Sequence, residues 1–112
     1  VTPEGKVKAL VKTTIEEIWP NRYQFMPVQN GMGSPSLDFL FCIKGLWIAI
    51  ETKEPGKSMT PRQTDTAADM IAAGGLVFMV DGKERLNAAV AFIRQAVARR
   101  VTECPYQECP LR

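Results

Sequence analysis

The stretch LDFLFCIKGLWIAIETK, residues 37–53, constrains the fold more than any other part of the chain. Its two apolar runs, about 37–43 and 46–53, flank Lys44-Gly45, which fits a two-residue hairpin turn. In that register Ile43 pairs with Leu46. Stepping outward one residue per strand brings Asp38 opposite Glu51. Opposed residues of an antiparallel pair project from one face, and Lys53, two residues beyond Glu51, shares it. Facing carboxylates repel unless something offsets them. Lys53 supplies one positive charge. A hard divalent cation, which takes oxygen ligands, would supply two. An ion-pair cluster at a strand end and a metal centre both satisfy this pattern.

The remaining chain reads as alternating elements. Residues 3–18 carry Val7, Leu10, Val11, Ile15 and Ile18 at helical spacing, with Thr2 as cap, Pro3 in the first turn and Glu4 beside the positive helix end. Trp19-Pro20-Asn21 ends that helix. Residues 22–28 alternate and carry aromatics, so they read as a strand, with Pro27 placing it at an edge or marking its end. A Gly/Ser/Pro loop covers 29–36. Thr60-Pro61-Arg62-Gln63 opens a second helix with capping-box spacing, and Gly74-Gly75 stops it near residue 73. Residues 76–80, LVFMV, form a continuously apolar strand of the buried, parallel kind. A last helix spans 83–100 with Leu86, Val90, Ile93 and Val97 on its apolar face. The order is α-β-β-β-α-β-α. Strand 46–53, helix 60–73 and strand 76–80 make a right-handed βαβ unit, so the class is α/β with a mixed sheet flanked by helices. At 112 residues the chain is one domain, 1–112.

Composition removes whole classes of chemistry. The sequence contains no histidine, which excludes Ser-His-Asp triads, His general bases and most zinc sites. The three cysteines, Cys42, Cys104 and Cys109, make no disulfide framework, and the two in the tail are too few soft ligands for zinc. A reducing cytoplasmic setting follows as the expectation. No apolar run is long enough to span a membrane, and VTPEGKVKAL lacks a signal-peptide layout. The net charge of +2 permits nucleic-acid binding without arguing for it.

Asp38 followed, across a hairpin, by Glu51-Thr52-Lys53 resembles the D…(D/E)xK signature of the PD-(D/E)xK nuclease superfamily. The element order resembles that superfamily's restriction-endonuclease-like αβββαβ core, here with an added C-terminal helix. More narrowly, GSPSLDFLFCIKGLWIAIETK, a Lys-containing loop, Gln63 in a helix ending Ala-Gly-Gly and then an apolar strand are similar to the VRR-NUC (virus-type replication-repair nuclease) group, in its stand-alone bacteriophage form. The resemblance runs from Glu4 to about Val80. It differs in one place: the group usually has Asp directly after Pro, whereas here Ser36 and Leu37 stand between Pro35 and Asp38.

The resemblance implies roles. Asp38 and Glu51 would be ligands of Mg²⁺ or Mn²⁺, with the Thr52 backbone carbonyl completing the set and Glu4 supporting it through water. Lys53 would position the attacking water or counter charge on the phosphate, and Gln63 would stand near the site. Two of these residues also have plain structural explanations, Gln63 as a capping-box partner and Glu4 as an acid at a helix start. Glu16 and Glu17 are weaker alternatives to Glu4. Lys57, Arg62 and Lys44 are candidates for phosphate contacts against a default of solvated surface. Trp47 shares the face of Glu51 and is a candidate wall of the site. Tyr23 and Trp47 read as core or interface more than as base-stacking platforms.

The implied activity is metal-dependent hydrolysis of DNA phosphodiesters by an endonuclease. It would act on junction or branched DNA in phage replication, recombination or repair, in the host cytoplasm. A less selective nickase, a non-catalytic DNA-binding module on the same fold and a purely structural phage protein are the alternatives. Cutting both strands of a junction symmetrically needs a two-fold dimer, so a homodimer is expected.

Overall fold

The computed structural model describes residues 1–28 and 33–100. The tail with Cys104 and Cys109 and the first half of the 29–36 loop, residues 29–32, lie outside the described residues. Elements follow in the order α1 (Pro3–Ile18), β1 (Tyr23–Phe25), β2 (Phe39–Ile43), β3 (Leu46–Thr52), α2 (Pro61–Ala72), β4 (Leu76–Val80) and α3 (Lys83–Arg99). The expected α/β class and element order are therefore present. The four strands form one mixed sheet in the order β1-β2-β3-β4. β1, β2 and β3 are antiparallel neighbours, and β4 lies parallel to β3.

The hairpin register is the one read from the sequence, with Ile43 opposite Leu46 and Phe39 opposite Ile50. Lys44 and Gly45 take φ of 51° and 82°, the two positive values of a type I′ turn. That turn twists with its strands, which is why it holds this register. α1 is capped by the Thr2 hydroxyl, which accepts from the Gly5 N–H at 3.0 Å. α2 carries a full capping box between Thr60 and Gln63. It closes at Gly74, φ 96°, where Gly74 N–H donates to the Ile71 carbonyl and Gly75 N–H to that of Met70. These two bonds are the Schellman pattern.

Two cores result. On one face α1 and α3 bury Val7, Val11, Ile15, Leu86, Val90 and Ile93 against Phe39, Phe41, Ile43, Ile48, Ile50 and Val80. Each such side chain contributes about 1.5–3 kcal/mol of burial. The Phe39 and Phe41 rings stack at 5.5 Å. On the other face α2 covers a smaller cluster of Leu37, Ala49 and Ala67.

Two strands differ from the sequence reading. β1 is three residues long, not seven, and both Tyr23 and Phe25 are exposed, so neither belongs to the core. β4 is an edge strand, and four of its five residues are only half-buried. Helices on both sides explain its unbroken apolar pattern, as where Phe78 meets Phe92 of α3 edge-on at 5.7 Å.

Candidate active site at the open end of the hairpin

The regular ladder stops at Phe39–Ile50, and Asp38 lies one step beyond it. Leu37 packs in the α2 core while Phe39, two residues on, packs in the opposite core. The pleat is therefore broken at Asp38. The break lets Asp38 reach Glu51 and Thr52 through side-chain bonds rather than ladder bonds. The Asp38 N–H donates to Glu51 Oε1 at 3.2 Å. In return Asp38 Oδ2 accepts from the Thr52 N–H at 3.0 Å and from the Thr52 hydroxyl at 2.6 Å. Glu4 arrives from the first turn of α1. One carboxylate oxygen each from Glu4, Asp38 and Glu51 lie within 4.8 Å of one another.

Gln63 has both roles that the sequence left open. Its Oε1 accepts from the Thr60 N–H at 3.0 Å, completing the cap, while its Nε2 donates to Glu51 Oε2 at 2.9 Å. The flipped amide would set oxygen against carboxylate and N–H against N–H, so these two partners fix its orientation. Lys53 sits 3.8 Å from Glu51 Oε2 with its side chain 15% exposed. Lys8, one helical turn beyond Glu4, sits 3.7 Å from Asp38 Oδ1.

Glu51 is 2% exposed. Its burial, with the negative charge of Asp38 second, pushes its pKa up to about 7; Glu4 adds a little. Lys53 and the Asp38 N–H pull the other way without winning. Thus, among the described residues, three carboxylates converge against two ammonium groups, and one carboxylate ionises only reluctantly. Clustered hard oxygen donors short of positive charge suit Mg²⁺ or Mn²⁺ rather than a soft metal. The residues present therefore fit such an ion.

Other candidates fall elsewhere. Glu16 and Glu17 are exposed at the far end of α1, roughly 18 Å from Glu4 by helix rise. Lys57 and Arg62 are exposed beside the N-terminus of α2. Lys44 lies in the turn at the opposite end of the hairpin. Trp47 does not wall the site. It is four residues from Glu51, roughly 13 Å along the strand, and it packs on Gly75, where an added Cβ would meet its ring at 2.5 Å. Face-sharing alone had suggested proximity. The Thr52 hydroxyl, which holds Asp38, was missed because the resemblance drew attention only to that residue's carbonyl. Lys8 was missed although its spacing of four from Glu4 was readable.

No family model matches the sequence, and no curated protein matches it. Among solved structures, one of a VRR_NUC domain superposes with a TM-score of 0.70 at 20% identity, covering 81% of this chain and 97% of the other. The chain has the VRR_NUC fold. What was a resemblance of short motifs is thereby a likeness of whole architecture. Within this VRR_NUC fold the carboxylate cluster occupies the end of the sheet where α1, the hairpin strands and the start of α2 meet.

Proposed function

We propose that the protein is a divalent-metal-dependent endonuclease that hydrolyses DNA phosphodiesters. The observation that carries this reading is the convergence of Glu4, Asp38 and Glu51, with Lys53 and Gln63 on Glu51. In this reading Asp38 and Glu51 hold Mg²⁺ or Mn²⁺ with the Thr52 backbone carbonyl, and Glu4 supports them. A bound ion supplies Lewis-acid chemistry, acidifying water and drawing charge from the scissile phosphate.

The chain's own groups do the rest. Thr52 locks the Asp38 carboxylate through two hydrogen bonds, and Gln63 locks that of Glu51. Such supporting bonds fix the direction of ligand lone pairs. The Lys53 ammonium makes no hydrogen bond among the described residues, so its donors are free to orient the attacking water and to counter charge growing on the phosphate. In-line attack leaves a 5′-phosphate and a 3′-hydroxyl. No histidine is required.

The finer reading is a structure-specific enzyme of phage replication, recombination or repair that cuts branched DNA as a homodimer. The exposed apolar face carrying Tyr23, Phe25, Cys42 and Trp47 is a surface that a second copy could cover. Cleavage of supercoiled plasmid, linear duplex, flap and four-way junction in Mg²⁺, Mn²⁺ or EDTA tests the whole reading, with Glu51→Ala and Lys53→Ala alongside. Metal-independent cutting, or full activity in Glu51→Ala, would defeat it. Paired symmetric cuts confined to the junction, by a species that sediments as a dimer, select the finer one.

A further inference from the structure

Among the described residues, Lys8 is the one charged contact of the cluster that the reading above leaves without a task. It comes from α1 and lies on the Asp38 side, whereas Lys53 lies on the Glu51 side. Its side chain is 39% exposed, against 15% for Lys53, so it stands at the mouth of the site. The separation of 3.7 Å from Asp38 Oδ1 exceeds hydrogen-bond length. Among the described residues its ammonium donates no hydrogen bond, and all three donors remain available to an incoming acceptor.

The helix extends this position. Glu4, Lys8 and Lys12 follow at intervals of four, so they line one flank of α1 beside the buried seam of Val7, Val11 and Ile15. Exposure rises along the flank: Glu4 and Lys8 are half-buried and Lys12 is exposed. Lys12 makes no ion pair among the described residues, although Glu16 stands one turn further on. Like charges one turn apart mildly destabilise a helix. Glu4–Lys8 and Lys12–Glu16, each four apart and of opposite charge, offset that cost. What sets Lys8 and Lys12 apart is that they lead outward along α1 from the Asp38 side of the site. Their spacing, about 6 Å along the axis, is close to the separation of successive phosphates on one nucleic-acid strand.

We propose that Lys8 and Lys12 form the phosphate track that leads the substrate strand into the carboxylate cluster along α1. The proposal rests on the nuclease reading and deepens it. Lys8 takes the phosphate next to the scissile one, and Lys12 takes the following one. Lys6, two residues from Lys8 and turned about 200° away around the helix, lies off the track.

Salt-dependent binding tests this. A labelled duplex and a labelled four-way junction are titrated with the full chain in Ca²⁺ and in EDTA, and log affinity is followed against log salt. Lys8→Ala and Lys12→Ala should each reduce the slope by about one, and the double variant by about two. Lys8→Arg should retain the wild-type slope, and Lys6→Ala should leave it unchanged. Unchanged slopes in Lys8→Ala and Lys12→Ala, with circular dichroism showing folded protein, would overturn the track. So would an equal loss in Lys6→Ala, which would mean diffuse basic charge, or no salt-dependent binding by wild type. Cleavage by wild type, measured in parallel with Mg²⁺, separates the two ideas. Binding with the expected slopes but no cutting upholds the track and sinks the nuclease reading. Cutting with unchanged slopes does the reverse.

Discussion

The two ends of the β2–β3 hairpin are built on opposite principles. At the turn end the backbone is ideal: two positive φ values close a type I′ turn, and Trp47 fills the space over Gly75. The cost there is the left-handed conformation of Lys44, about 1 kcal/mol. At the open end the ladder gives out, three carboxylates crowd together, and Glu51 is held nearly dry beside Asp38. One end stabilises the fold and the other costs it stability. A cluster whose carboxylates repel one another, and whose repulsion a cation would relieve, is what the proposed metal site calls for. A merely structural ion cluster would be expected to repay its burial.

The largest test of this contrast is to remove the costly group. Glu51→Ala should lower metal-dependent cleavage by about 10³-fold, roughly 4 kcal/mol of transition-state stabilisation. The same chain, free of metal, should unfold at no lower denaturant concentration than wild type. A variant that lost stability and activity together would make Glu51 a structural residue. Isothermal titration with Mn²⁺ completes the comparison, since binding should vanish in Glu51→Ala and persist in Lys53→Ala.

The pH dependence of the metal-free protein sharpens the same point. Glu51 holds its proton more tightly in the folded chain, up to about 7, than at the ordinary value of 4.5. Its favourable contribution is therefore complete below about pH 4.5 and is lost as pH rises through about 7. The loss is at most on the order of 3 kcal/mol. Urea unfolding in EDTA should show wild type losing stability relative to Glu51→Gln across that window. Parallel pH profiles for the two proteins would show that Glu51 is not strained.

The turn end should respond in the opposite sense. In Gly75→Ala the new Cβ would lie 2.5 Å from the Trp47 ring, so the strand or the indole must move. A cost of about 1–3 kcal/mol is expected for such overpacking. Cleavage should stay within about twofold of wild type, because Trp47 and the carboxylates occupy different ends of the strand. A large loss of activity with little loss of stability would mean that the two ends are coupled.

Much of this contrast was legible in the sequence. A two-residue turn fixes register, and register pointed to Asp38 and Glu51 as neighbours, although the contact itself is made past the end of the ladder through side-chain bonds. Thr60 and Gln63 announced the capping box. What escaped reading depends on tertiary distance. Face-sharing placed Trp47 with Glu51 but said nothing of the roughly 13 Å between them. The apolar run of β4 could not tell an edge strand clasped by two helices from a central one. The spacing of Lys8 from Glu4 was readable, but its meaning depends on which flank of α1 meets the sheet end. The pleat break at Asp38 was not legible, because it follows from Leu37 entering the α2 core while Phe39 enters the other.

Gln63 gives the smallest and most discriminating test, because it joins the stable scaffold to the strained site through one amide. Gln63→Ala removes both bonds and should cost about 1 kcal/mol as a lost cap. Gln63→Glu keeps an acceptor for the Thr60 N–H but loses the donor to Glu51 and adds a fourth carboxylate. If the cap is the main role, Gln63→Glu should be nearly as stable as wild type and cut DNA as well. If the Glu51 bond matters, cleavage should fall by about 10–100-fold, the usual loss when a ligand's supporting bond is removed. Combining Gln63→Ala with Thr60→Ala and with Glu51→Gln in double-mutant cycles apportions the two roles. Coupling to Thr60 should appear in stability alone. Coupling to Glu51 should appear in Mn²⁺ affinity, and its absence there would reduce Gln63 to a helix cap.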